Sequence, residues 1–154
     1  MLALFADFLE RLTELHNGME TAVSGLPPEA LDWVPGPEMN SLTVLVAHTA
    51  GAERYWIGDV AGQENSHRVR ATEFEKTSLS ESELKQLLRE TLAHSRGVLA
   101  RLTAADLERE YVSAVHNGRS FRAAWALLHA LEHTATHLGH MQLVRQLWQQ
   151  QMEV

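Results

Sequence analysis

The sequence predicts an all-α protein, a four-helix bundle forming a single domain over residues 1–154 and running up-down-down-up, with a long crossover between its second and third helices. Three observations carry this. Four segments repeat their apolar residues with the 3.6-residue period of a helix facing a core. One polar stretch between the second and third segments, residues 61–79, lacks any period. An extended chain covers about 3.3 Å per residue, so such a connection spans a bundle from end to end and lets those two helices run parallel. Finally, 154 residues suit one core.

The elements follow in order. Residues 2–24 place Leu4, Phe5, Phe8, Leu9, Leu12, Leu15 and Met19 at helical spacing, and Gly25 with Pro27-Pro28 ends the run. Residues 28–32 allow one short helical turn, and Pro35-Gly36-Pro37 forces a loop. A second long helix runs from about Ser41 to Val60, with Asn40 or Ser41 as N-cap. Ser80-Glu81-Ser82-Glu83 is a capping-box sequence opening a third helix to about Leu102. Residues 103–106 suit a short extra helix, 111–115 read as extended or irregular, and Asn117-Gly118 marks a turn. Ser120 then opens a fourth helix reaching about Gln150.

Composition excludes several classes. The net charge is −7 with basic residues scattered, whereas nucleic-acid binding needs a clustered basic face. There is no cysteine, so disulfides, a cysteine nucleophile and a thiolate metal site are all absent. No stretch approaches the roughly 18 apolar residues of a membrane span. Asp7, Glu10 and Arg11 interrupt the apolar N-terminus, which reads as a helix and not a signal peptide. A cytoplasmic location is expected.

Histidine placement carries the chemistry. His129, His133, His137 and His140 follow one another at spacings of four, four and three. At about 100° per residue they fall within an arc of roughly 80° on one helix face. Ala126, Met141, Val144 and Trp148 extend the same face, so it is a core stripe. Neutral imidazole is the commonest ligand for transition metals, and an i, i+4 pair such as His133 and His137 can grip one ion. A catalytic site of this type has three protein ligands and an open position. His48 lies on a core-facing stripe of the second helix, beyond Val44 and Leu45. A lone histidine there is ordinarily a hydrogen-bonded core residue. With the stripe on helix four beside it, a ligand is an equally good reading. His67 and His116 sit in polar loops, and His16 and His94 among polar helix neighbours; all four read as solvated. His129 and His140 flank the central pair and read as lining the site, His140 without being an obligatory ligand.

Two familiar motifs fail. His133-Thr134-Ala135-Thr136-His137 lacks the glutamate of H-E-x-x-H, so a thermolysin-like protease is excluded. No Glu-x-x-His occurs on the second or fourth helix, so a di-iron carboxylate centre is excluded too.

Three stretches together resemble the DinB/YfiT metalloprotein superfamily: Leu26 to Pro37, Leu45 to Trp56, and Trp125 to His140. The resemblance spans nearly the whole chain in the right order. The family pattern is one histidine on helix two and an H-x3-H pair on helix four, falling here on His48, His133 and His137. The usual ending H-x3-H-x-G-Q is replaced by Gly139-His140. That ending, with His129 and Glu132 upstream, is similar to the mycothiol-transferase branch, which usually carries glutamate where this chain has His133. The resemblance implies an up-down-down-up bundle, one divalent metal (zinc or nickel in many members) and homodimers. It further implies a metal-dependent transferase that activates an external low-molecular-weight thiol of the bacillithiol or mycothiol type for addition to an electrophile. Arg54, Arg122 and Arg145 are candidates to hold such a thiol's carboxylates, against their ordinary role on a solvated helix face. A metal-dependent hydrolase and a non-enzymatic, stress-linked metal-binding protein are the alternatives.

Overall fold

A computed structural model describes residues 1–152. Helix α1 (Ala3–Val23) gives way to Gly25, whose φ of +67° is the left-handed conformation that releases the chain from a helix. A single turn, α2 (Pro28–Asp32), starts on Pro28, as suits a residue with no N–H to give. Helix α3 (Leu42–Glu53) is capped by Ser41, whose hydroxyl accepts from the Val44 N–H. It continues as a wider π-helical stretch over Arg54–Ala61, closed by the Gly62 N–H donating back five residues to the Ile57 carbonyl. Ser80 and Glu83 form the capping box that opens α4 (Glu81–Arg101). The last helix, α5 (Ala123–Met152), is the longest.

Two features depart from the sequence-based expectation. Residues 62–80 are not featureless: they contain a 3-10 turn, Arg70–Glu73, that buries Glu73. Ser120 does not open the fourth helix. It lies in an antiparallel hairpin, β1 (Glu110–Ser113) and β2 (Arg119–Arg122), where it pairs with Val112. The Asn117-Gly118 turn signal belongs to this hairpin; both residues take positive φ, which glycine and asparagine tolerate best. Helical spacing resumes only at Ala123.

Helix α1 packs against α4 and α5, and α3 packs against the same two. The Gly25 N–H donates to Glu81 at the start of α4, and Arg145 on α5 reaches the carbonyls that end α1. The core divides into two apolar clusters. One gathers Phe5, Leu12, Trp56, Ile57, Leu99 and Leu127; the other Met19, Val23, Leu42, Leu84, Leu88 and Met141. On each helix the stretch between the clusters supplies polar residues. One side of this layer holds His16, Glu53 and Ser95, and the other His48, His133 and His137. Among the described residues no helix is long and apolar enough to cross a membrane.

Candidate metal centre

His48 projects from α3, and His133 and His137 from adjacent turns of α5. Their ring nitrogens converge: His133 Nε2 lies 3.1 Å from His48 Nε2 and 3.2 Å from His137 Nε2. Candidate ligand atoms on the three residues all fall within 4.8 Å of one another. A tetrahedral ion with metal–nitrogen distances of about 2.0–2.1 Å spaces its ligands about 3.3–3.4 Å apart, so the triad fits a small divalent ion with only slight spreading.

The electrostatics point the same way. His48 Nδ1 donates to Glu73 Oε2 at 2.9 Å, which turns Nε2 toward the other two rings. Burial, then the charge of neighbouring imidazoles, pushes the His133 pKa down to about 3 and that of His137 to about 4. Both are therefore neutral at physiological pH, the form that binds metal. The three Nε2 atoms face one point, the arrangement in which imidazoles can share one cation.

A sequence model described as mycothiol-S-transferase matches residues 7–150. The chain belongs to that family. No curated protein sequence matches it. Among solved structures, YfiT from Bacillus subtilis, a probable metal-dependent hydrolase with an unusual four-helix bundle topology, superposes with a TM-score of 0.75 at 16% identity, over 94% of this chain and 87% of that one. A conserved protein from Enterococcus faecalis gives 0.69 at 18% identity, over 91% and 94%. A mycothiol-dependent maleylpyruvate isomerase gives 0.68 at 16% identity, over 89% of this chain and 60% of the other. These likenesses establish the shared fold.

A carboxylate and an arginine support the triad from behind. Arg68 grips Glu73 through Nε and a terminal nitrogen, at 2.6 and 2.8 Å. Burial works to raise the Glu73 carboxyl, but the hydrogen bonds and charges of Arg68 and His48 outweigh it and hold the pKa below the usual carboxylate value. Glu73 thus stays ionised and orients the His48 ring, as carboxylates commonly do behind metal-binding imidazoles. The carboxylate reaches His48 only because residue 51 is glycine: a β-carbon there would lie 2.1 Å from Glu73 Oε1. Sequence reasoning missed Glu73. It sits in a stretch without period, and its one signal was a glycine inside the apolar run of α3.

The flanking histidines stand beside the triad. His140 is exposed, with its Nδ1 3.3 Å from His137 Nδ1, on the side of that ring away from the cluster. His129 stacks on Trp125 at 4.8 Å and meets the edge of Trp56; its ring centre is 5.8 Å from that of His133. Burial lowers its pKa too.

The arginines are engaged elsewhere. Arg145 donates to the carbonyls of Thr21, Ala22 and Ser24, capping the end of α1 about 12 Å along α5 from His137. Helix ends leave carbonyls unpaired, and a guanidinium satisfies several at once. Arg54 pairs with Glu64, and Arg122 with Glu108. Three histidines expected to be solvated are not. His16 is 2% exposed and donates to Glu53, and His94 donates to Glu64. His116 packs against Trp56 and Phe121 and is bonded to Ser113.

Proposed function

We propose that His48, His133 and His137 hold one divalent metal, zinc or nickel, through Nε2, and that the protein transfers an external low-molecular-weight thiol to an electrophile. The convergence of three Nε2 atoms, with Glu73 anchoring one of the rings, is the observation that carries this. An ion held by three neutral imidazoles keeps its full positive charge and an open position, and lowers the pKa of a thiol or water bound there. With no cysteine in the chain, the sulfur comes from outside. In this reading His129, beside His133, accepts the thiol proton, and His140 acts through His137, whose outer nitrogen it faces. The sulfur then bonds to the electrophilic carbon, and the leaving group departs with its electron pair. The same reading takes the bundle as up-down-down-up with residues 61–79 as the crossover. The Gly25–Glu81 contact, which sets the end of α1 beside the start of α4, supports that order.

The test supplies metal-loaded protein with mycothiol, bacillithiol or glutathione and a chlorodinitrobenzene electrophile. Chloride release and thiol loss in equal amounts are expected with one thiol far above the others. The likeness to YfiT keeps a second reading, hydrolysis by metal-bound water. Ester or amide turnover that needs no thiol, with no thiol conjugation, would replace the first reading by the second.

A further inference from the structure

A cleft of about 490 Å³ opens between the π-helical stretch and the β1–β2 hairpin, a size suited to a small molecule. Arg68 forms part of its wall, so the residue that holds Glu73 against His48 also faces this space. Arg68 and Glu73 thus link the wall of the cleft to His48, and none of the triad's three histidines lines it. Its apolar lining comes from Tyr55, Ala114 and Val115.

Its polar groups divide unequally. The acceptors are already spent. Asp59 takes the Ser66 N–H on one oxygen and the Ser66 hydroxyl on the other. Glu64 is held by His94 and Arg101. Donors remain. Arg70 makes no ion pair among the described residues and rests over the Phe74 ring at 4.7 Å. Arg68 gives Glu73 only two of its five N–H groups.

His116 adds a third donor through a buried relay. Ser113, fully buried, lies 2.5 Å from the Tyr55 hydroxyl and 2.7 Å from His116 Nδ1. Ser113 is the one partner of the Tyr55 hydroxyl among the described residues, and a phenol donating to it lets Ser113 donate onward to Nδ1. In that direction of the relay His116 carries its proton on Nε2 and offers it to the cleft. A cleft with spare donors and no spare carboxylate selects a ligand rich in acceptors.

We propose that this cleft binds a carboxylate-bearing small molecule with an apolar body, its carboxylate taken by Arg70, Arg68 and His116. This deepens the transferase reading by naming the class of one of its two substrates, and it replaces Arg54 and Arg145 as the carboxylate-holding residues. The probes are benzoate and its neutral amide, benzamide, titrated by calorimetry into zinc-loaded and chelator-stripped protein. Charge-assisted hydrogen bonds favour benzoate by about tenfold or more in both forms. Arg70→Gln and His116→Gln should each weaken benzoate about fivefold or more, with zinc content unchanged. Benzoate binding that requires zinc, equal affinity for benzamide, absence of binding, or wild-type affinity in both variants would overturn the proposal. Zinc content measured on the same samples separates the two ideas: benzoate bound by protein that takes no zinc would sink the metal centre alone.

Discussion

Two histidine clusters share the polar layer between the two halves of the core, and they are built differently. In the first, His16 Nε2 donates to Glu53 Oε2 at 2.7 Å and Ser95 donates to the other oxygen at 2.6 Å. Each carboxylate oxygen meets a donor, and all three residues are buried. In the second, Glu73 also receives an imidazole proton, but the three opposite ring nitrogens turn toward one another. In the first cluster the carboxylate is fully met, and only His16 Nδ1 is buried without a partner. In the second, three ring nitrogens on two helices converge on one point. A histidine–glutamate pair is thus common to both, and the convergence of three ring nitrogens sets the second apart as the proposed ligand site.

The largest effect that would break this comparison is loss of a ligand. His133→Ala should reduce bound metal to near background by elemental analysis while the far-UV spectrum stays helical; full occupancy would remove the distinction between the clusters. The converse applies to the sealed cluster. Glu53→Ala leaves buried donors without a partner and should cost about 3–5 kcal/mol in denaturant unfolding, with metal stoichiometry in the remaining folded protein unchanged. A variant of wild-type stability would show that the pair holds nothing together.

A finer test addresses the carboxylate behind the site. Glu73→Gln keeps the shape and removes the charge that orients His48, so metal affinity should fall about 10–100-fold in a competition titration with a chelator. An unchanged affinity would reduce Glu73 to a loop anchor.

The bundle's long helices and the convergence on one core-facing layer were readable because periodicity reports which face a helical residue occupies. Glu73 was not, because its role depends on a loop returning over Gly51, and no local pattern encodes that return. His16 and His94 were misread by weighing immediate neighbours over spacing: Leu12, His16 and Met19 form one stripe, as do Thr91, His94 and Val98. Their partners, Glu53 and Glu64, come from distant parts of the chain. Ser120 resembled an N-cap, but the strand pairing across Asn117-Gly118 claims it first.

The pH dependence of the stripped protein sharpens the electrostatic side. His133 and His137 have folded pKa values of about 3 and about 4, below the ordinary 6.5. Between those values the unfolded chain binds more protons, so these groups make stability rise with pH from about 4 to 6.5 and fall on acidification. The depressed Glu73 acts in the same direction. Compared with wild type, His133→Ala should show a shallower loss of stability over that window; an identical slope would contradict the buried, neutral state of the ring. The smallest effect is expected at His140. His140→Gln should retain stoichiometric metal and change turnover, since Nδ1 of His140 faces His137 from outside the cluster. Metal loss as complete as in His133→Ala would make it a ligand.

The most direct test of the central claim is zinc-edge X-ray absorption on the purified, zinc-reconstituted protein, combined with metal stoichiometry. One ion per chain is predicted, with three imidazole nitrogens at about 2.0–2.1 Å and one further light-atom ligand. Substoichiometric metal, or a shell containing fewer than three imidazoles, would contradict the assignment of His48, His133 and His137 as a single metal centre.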